Sequence, residues 1–300
     1  MELRQLKYFV KTAETLNFSE AARCLYVTQS TLSQQIKSLE DELGMILFQR
    51  DSHSVSMTEG GEKLLTLAKR TLDDAESCRN QIRDLQQMLT GTLNVGVTYS
   101  FGPILSDTVK IFMKEYPGVK LNVRYKTMEE LMEMLKHREV DFVLAFKPNN
   151  PYEEIESHNL FEDHLSVIMR NDHPLAANKT ITLEQLERHR LAMPSKGLQA
   201  RNALEKYINI EQSSLNVCLE INEVNILLDV IQHNNLVSIL SEATIHNHSF
   251  LKAIPLDLPD NQMQGCVHTL KKVYRKRSAD VFIKMLRDSD TVRELSRNCM

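Results

Sequence analysis

In the stretch "TQSTLSQQIKSLEDELG", Ser30, Gln34 and Lys37 are spaced i, i+4 and i+7. On a helix that spacing puts all three on one side. A glutamine amide can bond an adenine edge at two points, a serine hydroxyl gives or takes a hydrogen bond, and a lysine reaches phosphate. Ser33 on the flank and Gln29 at the exposed helix start extend the set. The chemistry is recognition of base edges in a DNA groove, with no bond made or broken. A polar stripe alone is an ordinary solvated face, so the surrounding elements decide its meaning.

Leu3, Leu6, Phe9, Val10 and Ala13 recur at helical spacing and stop near Asn17, which predicts a short amphipathic first helix. Ser19 stands where the N-cap of a second helix belongs, and Ala21 and Ala22 let that helix approach a third closely. "YVT" is a turn of the right length, and Thr28 can cap the third helix. Leu32, Ile36, Leu39 and Leu43 lie within about 60° of one another on it, the expected core stripe. After Gly44, "ILFQRDSHSVSMT" reads as two short strands around a polar turn, a wing carrying Arg50 and His53. A winged helix-turn-helix, mainly helical, is therefore expected over residues 1–58. Its DNA-facing residues would be Ser19, Thr28, Gln29, Ser30, Ser33, Gln34, Lys37, Arg50 and His53.

These motifs carry a resemblance. The register "FSEAARCLYVTQSTLSQQIKSLEDELGMILFQR" followed by "SMTEGGEKLLTLA" is similar to the LysR-type transcriptional regulators. The alanine pair, the Thr-Gln-Ser turn, the Leu-Glu-x-x-Leu-Gly exit, the Leu-Phe-x-Arg strand and the Thr-x-x-Gly helix start all fall at the family's spacing. The family often has arginine where this chain has Gln34, which removes one cation from the groove.

Charge sharpens the question. Residues 1–58 hold six Lys and Arg (Arg4, Lys7, Lys11, Arg23, Lys37, Arg50) against seven Asp and Glu, and the 300-residue chain carries a net charge of −4. Glu40, Asp41 and Glu42 cluster about two turns beyond Ser33 and Gln34, where the duplex is expected to curve away. With few phosphate contacts per head, each worth a salt slope of about 0.9, a single head should bind weakly, and affinity should come from joining heads. The five cysteines are scattered without a Cys-x-x-Cys, which points to reduced thiols. No basic leader with an apolar core opens the chain and no apolar run reaches the ~20 residues of a membrane helix, so a cytoplasmic protein without a membrane partner is expected.

From Thr58 to about Thr90 there is no proline, and no glycine between Gly61 and Gly91. One linker helix is expected over 59–90. Gly61, Leu64, Ala68, Thr71, Ala75, Cys78, Ile82, Leu85 and Leu89 step by three and four, a heptad seam that asks for a partner. A homodimer through Leu64, Ala68, Ala75, Cys78, Ile82, Leu85 and Leu89 would present two recognition helices to an inverted-repeat promoter site. The family resemblance implies that pairing and a further step to a homotetramer. RNA polymerase is a further candidate partner of such a regulator.

Beyond residue 91 strands and helices alternate: "LNVGV", "VKLNVRY", "VDFVLAF", "LSVIM", "RLAMP", "LNVCLEI" and "LVSIL", separated by helical stretches. Two α/β units with parallel sheets are expected. The resemblance implies that the chain crosses to the second unit near residue 163 and returns near residue 266. That makes an effector-binding domain over 91–300 like the type 2 periplasmic binding proteins, with lobe I about 91–162 and 267–300 and lobe II about 163–266. Ligand clefts in such folds lie at the carboxyl ends of strands. Thr98, Tyr99, Ser100 and Phe101 precede one helix start, and Ser195, Lys196 and Gly197 another; Thr127, Met128 and Phe146 end further strands. Helix N-termini, hydroxyls and a lysine suit an anionic small-molecule effector. The family's Gly-x-Gly in the second lobe is replaced by Asn234 and Leu236, and Asn234 is expected to supply the left-handed backbone.

The alternative is an enzyme or a small-molecule binding protein with a DNA-binding-like N-terminal domain. No nucleophile elbow, dinucleotide fingerprint, phosphate-cradling loop or His-Glu-x-x-His occurs. His246 and His248 make too small a set for a metal, no two carboxylates are ordered into an acid and base pair, and no cofactor or catalytic residue is expected. The basic run Lys271, Lys272, Arg275, Lys276 and Arg277 reads as a solubilising strand face. The reading is a DNA-binding regulator whose effector shifts the placement of its reading heads.

Overall fold

A computed structural model of the protein describes residues 1–50, 54–85 and 89–298 and resolves into two units, Met1–Met88 and Leu89–Met300. In the first unit three helices, α1 (Leu3–Thr15), α2 (Phe18–Cys24) and α3 (Gln29–Leu43), are followed by an antiparallel pair, β1 (Phe48–Arg50) and β2 (Val55–Met57), and a long helix α4 (Glu59–Leu85). Leu32, Ile36 and Leu39 of α3 are fully buried against Leu6, Phe9, Ala21 and Phe48. Leu43, expected in that stripe, is 42% exposed, because α3 ends one residue later at Gly44 in the left-handed conformation. Asn17, rather than Ser19, caps α2, its side chain accepting from the Glu20 N–H. Thr28 caps α3 through the Thr31 N–H at 3.2 Å.

The second unit contains β3 (Gly91–Val97), α5 (Gly102–Glu115), β4 (Val119–Tyr125), α6 (Met128–Lys136), β5 (Phe142–Phe146) and β6 (Ile155–Asp163). β7 (Leu165–Arg170), α7 (Leu183–Leu186), β8 (Arg190–Pro194), α8 (Gln199–Leu204), β9 (Asn216–Ile221), α9 (Val224–His233), β10 (Ser238–Ser241) and β11 (Leu251–Pro255) follow. The chain ends with β12 (Met263–Leu270), α10 (Arg277–Asp288) and α11 (Asp290–Asn298). One lobe is a five-stranded sheet ordered β4-β3-β5-β12-β6; the other sets β7 between β10 and β11 and pairs β8 with β9. A bridge between Leu191 and Val237 joins β8 to the segment entering β10.

The sheets are mixed where parallel ones were expected. β3 runs parallel to β4 and β5, but β12 is antiparallel to β5 and β6, and β7 is antiparallel to both its neighbours. The cause is the doubled crossing: a strand that leaves one lobe and another that returns cannot both keep the βαβ direction. β6 itself, "IESHNLFED", is too polar to read as a strand in sequence. Asn234 is extended (φ −132°), so it does not take the left-handed role, and Leu236 is buried in the second lobe's core. The basic run is not on a strand either. Lys271 to Lys276 form the turn after β12, and Arg275 pairs with Glu156 (3.0 Å) and Lys276 with Asp141 (2.9 Å).

Only His164 separates β6 from β7 at the first crossing. The buried Asp163 carboxylate accepts from the main-chain N–H groups of His164 (2.7 Å), Glu242 (3.2 Å) and Ala243 (3.2 Å). Burial outweighs these donors and pushes its pKa up to about 6. His268, buried on β12, is pushed down to about 4 by burial and is therefore neutral at pH 7. Its Nε2 bonds Ala145 O (3.1 Å) and its Nδ1 the Ser157 hydroxyl (2.9 Å), tying β5, β12 and β6 together.

Two adjacent glycines open α4 and meet different neighbours. A Cβ on Gly61 would come 2.3 Å from the Leu47 carbonyl oxygen, whereas one on Gly60 would meet only the Met45 side chain, which can swing away. Gly61→Ala should therefore destabilise the head by about 1–3 kcal/mol, read as a lower urea midpoint. Gly60→Ala should be neutral or stabilising by up to about 1 kcal/mol. Equal effects of the two changes on the unfolding curve would show that the backbone contact does not govern this joint.

Candidate DNA-reading face and ligand cavities

Gln29, Ser30, Gln34 and Lys37 are exposed along α3, and Ser33, half-buried beside them, has a hydroxyl without a hydrogen-bond partner. The Ser30 hydroxyl lies 2.9 Å from that of Thr28, so the cap residue also orients this member of the exposed row. Arg50 on β1 sits 4.0 Å over the Phe18 ring, which holds the guanidinium near α2. Ser19 is exposed on α2, and His53 lies outside the described residues. A surface hollow of about 770 Å³ is lined by Ser33, Gln34, Lys37 and Arg50, and also by Glu40 and Asp41.

The acids thus do not stand clear of this hollow. Glu40 has an internal task that sequence spacing does not reveal. Its Oε1 accepts from the Leu47 N–H (2.7 Å) and the Phe48 N–H (3.3 Å), anchoring the first strand of the wing to α3. A carboxylate that collects main-chain donors makes strong charge-assisted bonds, so Glu40 adds order to the head.

Part of the expected heptad seam is spent inside the head. Ala68 is 1% exposed and Leu64 half-buried, both packed on the core formed by α1, α3 and β1. Their burial within one chain overturns the expectation that the whole stripe needs a partner. Ala75 is half-buried, Cys78 exposed and Ile82 60% exposed. Leu85 ends the helix, with its side chain outside the described residues, and Leu89 belongs to the second unit, where it packs on the first lobe's core.

The residues expected at the ligand cleft are divided. Phe101 is buried between the rings of Phe146 (5.3 Å) and Phe161 (5.4 Å), and buried Thr98 donates to Leu144 O, so both face the core and not a cleft. Ser100 and Ser195 are half-buried. The Thr127 hydroxyl caps α6 in a reciprocal box with Glu130. Lys196 is exposed and ion-paired with Glu211, so its charge is already matched. Gly197, at φ +90°, is the one position here that needs glycine, and a Cβ on it would lie 3.8 Å from Thr127, which puts the two lobes side by side.

Met128 and Phe146 line one cavity, of about 390 Å³, with Lys147, Asn149, Gln199, Lys206 and Gln264, and Asp260 adds one carboxylate against the two lysines. Across it the Gln199 amide clasps the Phe146 main chain, accepting from N–H at 3.2 Å and donating to the carbonyl at 3.1 Å. Lys147 donates to the Gln264 amide oxygen (3.0 Å) and Lys206 to that of Asn149 (2.6 Å). Among the described residues neither lysine is paired with a carboxylate. Tyr99 lines a different cavity, of about 370 Å³. Lys147 directly follows the strand end at Phe146, so reading one residue further along the sequence finds it; Lys206 lies in the turn after α8 and leaves no such signal.

Comparison with known proteins places this architecture. A family model described as "Bacterial regulatory helix-turn-helix protein, lysR family" matches residues 3–62, and one described as "LysR substrate binding domain" matches residues 86–291. The HTH-type transcriptional regulator EstR of Acinetobacter baylyi is 30% identical over 251 residues, 82% of this chain and 81% of that protein. YybE of Bacillus subtilis, also an HTH-type transcriptional regulator, is 28% identical over 285 residues, covering 94% and 97%. Among solved structures, a full-length OxyR variant from Pseudomonas aeruginosa superposes with a TM-score of 0.77 at 24% identity, covering 98% of this chain and 97% of that one. Full-length CbnR complexed with its target DNA gives 0.65 at 20% identity, covering 96% and 99%. A winged head joined to a two-lobed substrate-binding domain defines a ligand-responsive DNA-binding regulator rather than an enzyme. The chain belongs to the LysR family of transcriptional regulators.

The role of Glu40 separates charge from architecture. If the hollow beside α3 met DNA and charge alone mattered, removing an acid from it would tighten DNA binding. Glu40→Ala should instead weaken binding several-fold and lower the melting temperature, because two main-chain N–H groups lose their acceptor at a cost of about 1–3 kcal/mol. Fluorescence anisotropy on promoter DNA and a thermal melt read both, and tighter binding would rule the anchor out.

Proposed function

We propose that the protein is a cytoplasmic, sequence-specific regulator that binds an inverted-repeat promoter site as a homodimer or homotetramer. Residues 1–58 are the reading head, 59–90 the linker and dimerisation helix, and 91–300 the effector domain. The observation that carries DNA reading is the exposed row Gln29, Ser30, Gln34 and Lys37 on α3 beside Arg50 of the wing. Arg50 and Lys37 serve phosphate, and the amides and hydroxyls serve base edges. No helix among the described residues is long and apolar enough to cross a membrane.

Pairing is assigned to the exposed half of α4, where Ile82 remains uncovered in a single chain. RNA polymerase is the downstream partner such a head would address. DNase footprinting on DNA upstream of the protein's own gene at low salt should reveal a protected inverted repeat. Ile82→Glu should convert the protein to monomers by sedimentation and weaken DNA binding steeply, since joined heads gain from effective concentration. A monomeric variant that binds as tightly as the parent would refute this assignment.

The effector is placed in the cavity lined by Lys147 and Lys206, and its class is a small carboxylate or other anion. What supports this is the pair of ammonium groups which, among the described residues, bond neutral amides and leave two positive charges against the single Asp260 carboxylate of the lining. An anion there would also displace or re-aim Gln199, whose amide joins the lobes, and so change how they close. In a metabolite screen by melting temperature, anions should raise the midpoint. Replacing Lys147 and Lys206 with alanine should weaken that response about tenfold per lysine. An unchanged response in the double variant would place the effector elsewhere.

A further inference from the structure

The second cavity, of about 370 Å³, opens between Tyr99, Gly102 and Tyr125 of the first lobe and Glu223, Asn225 and His248 of the second. Its volume falls within the roughly 300–1,000 Å³ of small-molecule sites. The Tyr99 and Tyr125 rings stack there at 5.5 Å and 26°. Tyr99 is braced from behind by the second lobe's core, while Tyr125 is 40% exposed. Burial and the neighbouring Tyr99 raise the pKa of Tyr125, so its hydroxyl stays a neutral donor at pH 7.

Charge distinguishes this cavity from the lysine-lined one. Among the described residues its lining contains no Lys or Arg, and Glu223 contributes a carboxylate. That carboxylate is fixed in place, because it caps α9 through the Ile226 N–H (2.9 Å) and accepts from the Asn225 amide (3.0 Å). A ring face and a held carboxylate both attract a cation, the first through the ring quadrupole. Both repel an anion. The two cavities meet at one short segment, since Tyr125 lines the first and Met128 the other, with Thr127 against Gly197 between them in sequence.

We propose that this cavity is a second ligand site, for an aromatic amine in its ammonium form, with the ring over Tyr125 and the ammonium at Glu223. Binding is non-covalent and needs no proton transfer. The site stands apart from the anion site proposed above, and either can fail without the other.

The probes are 2-phenylethylammonium and 3-phenylpropanoate, which share a ring and differ in charge, titrated calorimetrically into the full chain. The ammonium should bind at least about tenfold more tightly than the carboxylate, and Glu223→Gln should remove about that factor. The amide oxygen that Glu223→Gln introduces still accepts from the helix start, so this variant keeps its fold. Tyr125→Leu should weaken the ammonium further, with normal melting as the control; if that variant melts early, Glu223→Gln decides alone. The Lys147→Ala and Lys206→Ala double variant should bind the ammonium like the parent. Equal affinity for the two probes, an unchanged Glu223→Gln titration, or loss of ammonium binding in the lysine variant would each overturn the proposal.

Discussion

The effector domain depends on how one buried carboxylate is accommodated. Asp163 ends the last strand before the chain crosses between lobes, and a single residue later the next lobe's central strand begins. Three main-chain N–H groups converge on it, one from the crossing itself and two from the turn that follows β10. The crossing is therefore fastened to the second lobe at one place far along its chain, the consecutive N–H groups of Glu242 and Ala243. Each lobe has its own core, and the two touch where Ala243 of the second lobe is buried in the first lobe's core and Tyr99 of the first packs on the second's. His164 adds an imidazole 3.2 Å from Glu242, whose carboxylate raises its pKa.

The head was largely legible in sequence. A helix with Leu32, Ile36 and Leu39 on one side and Gln34 and Lys37 on the other announces its orientation, and Thr28 and Gly44 mark its ends. The ligand domain was legible as alternating strands and helices but not in its strand directions. Those are set by long-range crossings that leave no periodic trace, and β6 is a strand because β12 pairs with it rather than because its polar residues favour one. The cleft was the least legible part. Strand ends are candidates as a class, yet whether Phe101 turns into the core or Tyr99 into a cavity depends on a single turn of 3-10 helix. Lys196 illustrates a second limit: its partner Glu211 is fifteen residues away and only the fold brings them together.

Acidic residues have structural tasks in both units. Glu40 holds the wing, Glu223 caps α9, and Glu130 closes the box that starts α6. In a chain of net charge −4 these three carboxylates keep their charge but are each aimed at main-chain donors, and of the three only Glu40 lies in the head. The same logic gives the two cavities opposite sign: in one the lysines rest on neutral amides, in the other a glutamate is anchored by its own helix.

The burial of Ala68 and Leu64 in the head has a mechanical meaning. The first half of α4 is a wall of the domain that carries α3, while the second half projects Ile82 beyond it. Wall and projection are one unbroken helix. If two chains pair as proposed above, the helix that would hold the partner is also a wall of the domain carrying α3. In that pairing a change of a few degrees where two such helices cross would pass directly to both heads, and the angle between them would gauge the spacing of the half-sites.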